Sequence, residues 1–235
     1  MNKLYIALIA LLSLSLPIQA QKYIGGAGGL NAGAMHIDPS GFNQFLPEGF
    51  PQLSGDFLSI GGDGYFMYEN FVIGGGGQGL IGEELIHQGQ ITKMSGGMGF
   101  FNFGYDFVHK ETLKVYPLIG IGGGGYTMEF STLGQQSKSE VLQKNTDGSY
   151  LQSNISFGSV MFDLGVGLDF FPESGTGSSP RLGVRVGYLF APSHGDFRYG
   201  GGRITGADLY SLSGYYFRIV IGGGGFSKME AASGE

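Results

Sequence analysis

Hydrophobic and polar residues alternate with a period of two along much of the chain. In residues 159–170 every second position is bulky and apolar, while the intervening positions carry Ser, Met, Asp and Gly. Successive side chains of a β-strand point to opposite faces of the sheet, so this alternation predicts a strand. The same pattern recurs in residues 101–107, 181–190 and 215–222.

The alternation and the intervening links predict eight strands. They cover residues 22–35, 55–68, 71–86, 91–109, 113–130, 154–171, 180–191 and 212–226. Each segment reaches the length of about 9–11 residues that a tilted strand needs to cross a bilayer. Short links alternate with the long polar links 36–54, 131–153 and 192–211, apart from one short link at 87–90. An even number of strands with alternating link lengths is typical of an antiparallel transmembrane β-barrel.

The two faces of these strands indicate which side meets lipid. One face is continuously bulky and apolar, whereas the other is mostly glycine with a few short acids and arginines. That polar face suits a narrow lumen better than a solvated surface, so the bulky face is predicted to point outward. The predicted lipid-facing residues of the two clearest strands are Val160, Phe162, Leu164, Val166, Leu168, Leu182, Val184 and Val186.

Charged residues on the opposite face are predicted to form a structural network in the lumen. The candidates are Asp63, Asp106, Asp163, Asp169, Arg181, Arg185 and Arg218. Buried charges are costly unless they are paired, and we expect one pair between Asp163 and Arg185 on adjacent strands. Because eight strands enclose an interior just wide enough for side chains, a plugged lumen is favoured over a conducting pore.

Aromatic residues near the strand ends predict the two membrane interfaces, where such residues form girdles. The predicted girdle residues are Tyr105, Phe107, Phe170, Phe171, Tyr188, Phe190, Tyr215 and Tyr216.

The N-terminal segment has the pattern of a secretory signal peptide. Lys3 precedes an apolar run over residues 4–16, and Pro17 and Ala20 follow it. The run is too short for a membrane-spanning helix. We therefore predict a cleaved signal peptide at 1–20, a barrel at 21–226 and a short polar tail at 227–235.

Composition narrows the function classes further. The 235 residues include 47 glycines and no cysteine, and the formal net charge is −6. Glycine at this density disfavours a helical protein. The absence of cysteine excludes disulfides, thiolate metal sites and a cysteine nucleophile. Since no cluster of lysines and arginines is present, nucleic acid is not an expected partner.

Three motifs with possible chemistry favour structural interpretations. Gly120, Gly122 and Gly125 match a dinucleotide-binding pattern, but a strand-like segment follows them where that site needs a helix. The four histidines, His36, His87, His109 and His194, lack the spacing of metal ligands, so neither a metal nor another cofactor is predicted.

The third motif combines Ser193, His194 and Asp196 at the outer end of the seventh predicted strand. It leaves open a lipid-modifying hydrolase or acyltransferase. The polar start of a loop after Pro192 is the preferred interpretation, because adjacent residues of an extended chain point in opposite directions.

The mature chain resembles the small eight-stranded outer-membrane β-barrel proteins over essentially its whole length. The resemblance is carried by the signal peptide, the alternating strands and the segment YPLIGIGGGGY at 116–126. It implies location in the cell outer membrane, contact with outer-membrane lipids, and insertion by the barrel-assembly machinery. That machinery commonly reads an aromatic residue at the end of the last strand; Phe226 is the candidate here, although nine residues follow it.

The expected function is that of a non-enzymatic, monomeric membrane protein that is structural or interacts through its outward loops. Two alternatives remain open at this point. One is the lipid-modifying enzyme, and the other is a soluble periplasmic barrel that binds an apolar ligand.

A fractionation experiment tests the membrane assignment. The protein should be recovered with membranes and, in cold detergent, should run on a gel as a compact species whose mobility changes after boiling. A closed barrel resists unfolding by detergent alone, which is the reason for the expected shift. Recovery in the soluble fraction without detergent would instead favour the soluble barrel.

Overall fold

The computed structural model describes residues 22–44, 46, 48–108, 110–132, 152–172, 178–194, 198–199, 202–203 and 213–229. The predicted signal peptide at 1–20 and the tail beyond residue 229 lie outside the described residues.

The described residues form ten strands and one short helix. The strands are β1 (Tyr23–Ile37), β2 (Asp56–Glu69), β3 (Phe71–His87), β4 (Gln90–Tyr105), β5 (Leu113–Thr132), β6 (Gln152–Phe170), β7 (Ser179–His194), β8 (Arg198–Tyr199), β9 (Gly202–Arg203) and β10 (Gly214–Lys228). Helix α1 covers Ser40–Asn43. No helix in the described part of the chain is long and apolar enough to span a membrane.

Eight strands close into an antiparallel barrel. The long strands pair in chain order from β1 to β7, then β7 pairs with β10 and β10 pairs with β1. Following the paired residues once around the barrel from Gly26 leads back to β1 at His36, ten residues further along. The strands β8 and β9 form a small hairpin that pairs with β6. The predicted eight-stranded antiparallel barrel is therefore confirmed.

The two ends of the barrel differ in their connections. At the terminal end, where β1 begins and β10 ends, the link between β2 and β3 is the single residue Asn70. At the loop end, residues 38–55 connect β1 to β2, and residues 133–151 connect β5 to β6. The short loop-end turn between β3 and β4 is made by Gln88 and Gly89, both with positive φ, as a tight hairpin requires.

The outward face carries an apolar belt. The belt consists of the outward-facing residues within 24–34, 58–68, 71–81, 95–105, 115–127, 156–170, 182–190 and 215–225. It contains no Asp, Glu, Lys or Arg. The eight residues predicted to face lipid all lie in the belt; Val184 is half-buried and the other seven are exposed. This inverted polarity identifies a transmembrane barrel.

Charged residues mark both edges of the belt. Asp56, Lys93 and Glu129 lie beyond it at the loop end, where Lys93 is paired in register with Glu129. At the terminal end Lys22 binds Glu69 and Lys228 binds Glu111, each over 2.7 Å. The hydrogen bond and the attraction of Glu69 raise the pKa of Lys22. The charged side chains thus sit where water and headgroups begin.

The barrel interior is filled in layers. A large apolar cluster at the loop end includes five methionines, namely Met35, Met94, Met98, Met128 and Met161. A smaller cluster at the terminal end contains Tyr23, Met67, Val72, Tyr116 and Leu118. Most of the buried charged residues lie between the two clusters, and one further pair, Asp106 and Lys114, lies at the terminal end beside Tyr23.

Two of the predicted girdle residues point inward instead. Phe171 and Tyr216 are buried, whereas their neighbours Phe170 and Tyr215 are exposed. The prediction was wrong for these two because side chains alternate along a strand, so adjacent residues cannot both reach the membrane interface.

The substitution Val166→Arg tests the belt. Val166 lies near the middle of the outward face of β6, so a cation there should lower the free energy of unfolding by about 2–4 kcal/mol. The measurement is the folding equilibrium in lipid vesicles across a urea series.

The matched control is Asn154→Arg on the same strand. Asn154 also faces outward but lies beyond the belt, opposite Glu129, so the same substitution should be almost neutral. Equal costs for the two arginines would show that the belt does not contact hydrocarbon.

Candidate functional site

A cluster of four charged residues spans the lumen. Arg181 and Arg185 from β7 meet Asp169 from β6 and Asp63 from β2. The Arg181 guanidinium lies 2.8 Å from Asp63 Oδ1 and 3.0 Å from Asp169 Oδ1. Because β2 lies across the barrel from β6 and β7, these pairs connect opposite walls.

Asp169 is the centre of this charge cluster. Arg185 donates from Nη1 to Asp169 Oδ1 and from Nη2 to Oδ2, both over 3.0 Å. The hydroxyls of Tyr65 and Tyr116 also donate to Oδ2, over 2.9 and 2.5 Å. Arg185 Nη2 donates in turn to the Tyr116 hydroxyl. The bidentate arginine and the two hydroxyls satisfy a carboxylate that is fully buried.

The charge cluster adds little net free energy of folding, but each of its charges needs its partners to remain buried. Two arginines balance two aspartates, so the cluster as a whole is neutral. Removing ions from water costs about as much as their pairing returns, but deleting one partner leaves a buried unpaired charge at a cost of about 3–5 kcal/mol. The arrangement therefore favours one packing of the lumen over alternatives.

Glycines make room for the cluster. A Cβ on Gly167 would lie 2.6 Å from the Tyr116 ring, and a Cβ on Gly183 would lie 2.2 Å from Asp169 Oδ1. Both distances are far below van der Waals contact. The absence of a side chain at these positions is what allows the tyrosine and the carboxylate to enter the lumen.

Asp163 and Arg218 lie in a second group, closer to the loop end. Tyr216 donates to Asp163 Oδ1 over 2.9 Å, and the Arg218 guanidinium lies 4.1 Å from the centre of the Tyr216 ring. The expected pair of Asp163 with Arg185 was wrong. Arg185 stands opposite Gly167 in the register of β6 and β7, which places Asp169 two residues away and Asp163 four.

Asp106 belongs to a third group, at the terminal end. Its partner is Lys114, whose Nζ lies 3.4 Å from Oδ2, and both side chains are fully buried. The ammonium also lies 3.8 Å from the centre of the Tyr23 ring and 5.3 Å from that of Phe226. Phe226, the candidate assembly signal, thus packs inside the barrel rather than on its outer surface.

The connection 38–55 folds over the mouth at the loop end. Phe42 of α1 stacks on Phe157, with ring centres 5.2 Å apart, and Leu53 is also buried. The Asn43 side chain exchanges two hydrogen bonds with the Leu53 backbone, over 2.8 and 3.1 Å. At the start of the loop the Ser40 amide donates to Asp38, which lowers the pKa of that carboxyl.

The structure bears on two of the three motifs that could carry chemistry, the glycine motif and the metal-ligand candidates. Gly120, Gly122 and Gly125 lie inside β5, which continues to Thr132, so the helix that a nucleotide site requires does not follow them. In the described part of the chain no group of three or more His, Asp or Glu side chains could hold a metal ion. The side chains of Ser193 and His194, and all of Asp196, lie outside the described part of the chain.

Sequence reasoning missed Tyr65, Lys114 and Tyr116. The period of two could have identified Tyr65, because it shares a face with Asp63 on β2. Lys114 and Tyr116 share the inward face of β5, but the glycine run that follows them obscures the alternation of that strand.

The substitution Gly167→Ala tests the close packing of the cluster. The added methyl group would collide with the Tyr116 ring, and overpacking of this kind costs about 1–3 kcal/mol. The control is Gly125→Ala on the outward face, where the nearest atom to a new Cβ is 3.6 Å away. Urea unfolding in detergent should show destabilisation for residue 167 only; an equal effect at both sites would contradict the packing argument.

The fold is similar to several solved structures. These include Ail, the attachment invasion locus protein of Yersinia pestis, at 11% sequence identity and a TM-score of 0.47, with 87% of this chain and 99% of that chain covered. They also include a major outer membrane protein from Thermus thermophilus, at 9% identity and a TM-score of 0.44, covering 86% and 99%. A further similar structure is the outer membrane protein OprG from Pseudomonas aeruginosa, at 10% sequence identity and a TM-score of 0.40, with 90% of this chain and 100% of that chain covered. No family model and no curated protein sequence matches the chain.

Proposed function

We propose that the protein is a non-enzymatic integral outer-membrane barrel with a sealed lumen, which meets its surroundings through its loop-end connections. The single observation that carries the proposal is the combination of an uncharged outward belt with a charge cluster that bridges the lumen. The apolar belt gives the barrel its anchorage in lipid, and the cluster occupies the space that a pore would need.

The location follows from the belt and from the N-terminal segment. The belt on β2 covers residues 58–68, which matches the length of about 9–11 residues for a tilted transmembrane strand. The predicted signal peptide would export the chain, and the terminal end would face the periplasm. Lipids of the outer membrane are the partners of the belt, and the barrel-assembly machinery acts during insertion.

Sealing of the lumen rests on three successive layers. Phe42 and Leu53 cover the methionine-rich cluster at the loop end, and the charge cluster lies beneath it. At the terminal end Lys114 lies between the rings of Tyr23 and Phe226. An ion crossing the barrel would have to displace all three layers.

A non-enzymatic role is supported by the engagement of the acids and bases of the charge cluster with one another. Asp169 is occupied by two arginine nitrogens and two tyrosine hydroxyls, which leaves no free carboxylate oxygen for proton transfer. The long connections at the loop end, including 38–55 and 133–151, are the proposed surface for interactions outside the cell. A single copy closes the barrel, in keeping with a monomer.

Planar-bilayer recording tests the sealed lumen. The reconstituted protein should give no steady ion conductance, because side chains occupy the lumen at three levels. The double substitution Phe42→Ala with Leu53→Ala removes only the cover at the loop end, leaves the methionine-rich cluster and the two layers below it in place, and should also remain closed. Stable conductance steps from the unsubstituted protein would overturn the sealed lumen while leaving the membrane anchorage intact.

A further inference from the structure

A small polar cavity lies in the middle of the barrel, between the charge cluster and the methionine-rich layer. Its volume is about 30 Å³, and its polar lining includes Asp63, Gln78, Asn102, Asp163, Arg185 and Arg218 together with the hydroxyl-bearing Tyr216. A neighbouring cavity of about 20 Å³ shares Asp63, Asn102 and Arg185 with it. Both cavities are therefore surrounded by hydrogen-bonding groups on several sides.

Arg218 presents unused donors in this region. Its side chain is only 8% exposed, and within the described residues its Nε and Nη2 atoms have no protein acceptor in hydrogen-bonding distance. Asn102 Oδ1, on the opposite lining, likewise has no protein donor in that part of the chain. Buried polar groups without a partner are costly, so the cavity should contain something that accepts from the arginine and donates to the amide oxygen.

The balance of charges in the lumen favours a neutral ligand over an ion. The middle of the lumen holds Asp63, Asp163 and Asp169 against Arg181, Arg185 and Arg218. Three negative and three positive charges require no further ion, and an anion near Arg218 would also face Asp63 and Asp163. Water is the neutral ligand that both donates and accepts hydrogen bonds.

The volume of the cavity is also suitable for water. A water molecule needs about 10–15 Å³ of space by the same measure, and buried waters form about three hydrogen bonds each. We propose that the cavity is a binding site for about two water molecules, which bridge Arg218 to Asp163 and Asn102. This water site joins the second charged group to the cluster of Asp169, while the apolar layer above separates it from the loop end.

The water site accounts for the arrangement of Arg218 and Asp163, which do not form a direct ion pair. Arg218 stacks on Tyr216, and Tyr216 holds Asp163, so the arginine and the carboxylate share a neighbour without an ion pair between them. Water between the two charges screens each of them and completes their hydrogen bonds. Because the interior is closely packed at both ends, the bound water should exchange slowly with the solvent.

The test is water–protein cross-relaxation by NMR in lipid nanodiscs, read at the Arg218 Hε proton. The intact protein should show a cross-peak to water with the sign of a long-lived contact. Asn102→Leu removes an acceptor and fills the cavity, and it should abolish the cross-peak. Asn31→Leu is the matched control, since Asn31 is also buried but does not line the cavity; the cross-peak should persist there.

Three outcomes would overturn the proposal. The first is an assigned Arg218 resonance without any water contact in the intact protein. The second is loss of the cross-peak in Asn31→Leu together with Asn102→Leu. The third is a bromide ion beside Arg218 in crystals grown with bromide, which would identify an anion site. If Asn102→Leu fails to show the mobility shift of a folded barrel, the intact protein and the bromide crystals still decide the question.

Discussion

The structure depends on one constraint, namely that hydrocarbon offers no hydrogen bonds to a peptide group. Strands can cross such a medium only if the sheet closes, and the pairing of β1 with β10 provides that closure. Once the barrel is closed, the outward face must be apolar and every charged side chain of the strand middles must turn inward. The uncharged belt and the charged lumen are therefore two consequences of the same requirement.

The lumen then sets a packing problem, because eight strands leave little more room than their own side chains fill. The packing is possible because glycines stand opposite the large side chains that enter the lumen. Gly167 and Gly183 face the space taken by Tyr116 and Asp169, and outward glycines such as Gly125 meet no such neighbour. The charge cluster links β2 with β6 and β7, and the Tyr116 hydroxyl attaches β5 to it, so the cluster stabilises the cross-section of the barrel as well as occupying it.

Much of this fold could be predicted from residue order. The alternation in residues 159–170 identifies β6 and its outward face, and the link lengths identify the end that carries the loops. The predictions for Phe171 and Tyr216 were wrong because they relied on aromatic character and disregarded the alternation of inward and outward positions along the chain. Lys114 and Tyr116 were missed because the long glycine run in β5 weakens the contrast between the two faces of that strand. Tyr65 shares its face of β2 with Asp63, so the alternation of β2 could have identified it.

Sequence alone determined the number of long strands, their approximate limits and which face of each clear strand is apolar, because these follow from local periodicity. Only the tertiary structure decided which acid meets which arginine. Arg181 and Asp63 are 118 positions apart in the chain and become neighbours across the lumen through closure. The choice of Asp169 over Asp163 as the partner of Arg185 depends on the register between β6 and β7, and register is a property of strand pairing that neither strand encodes alone.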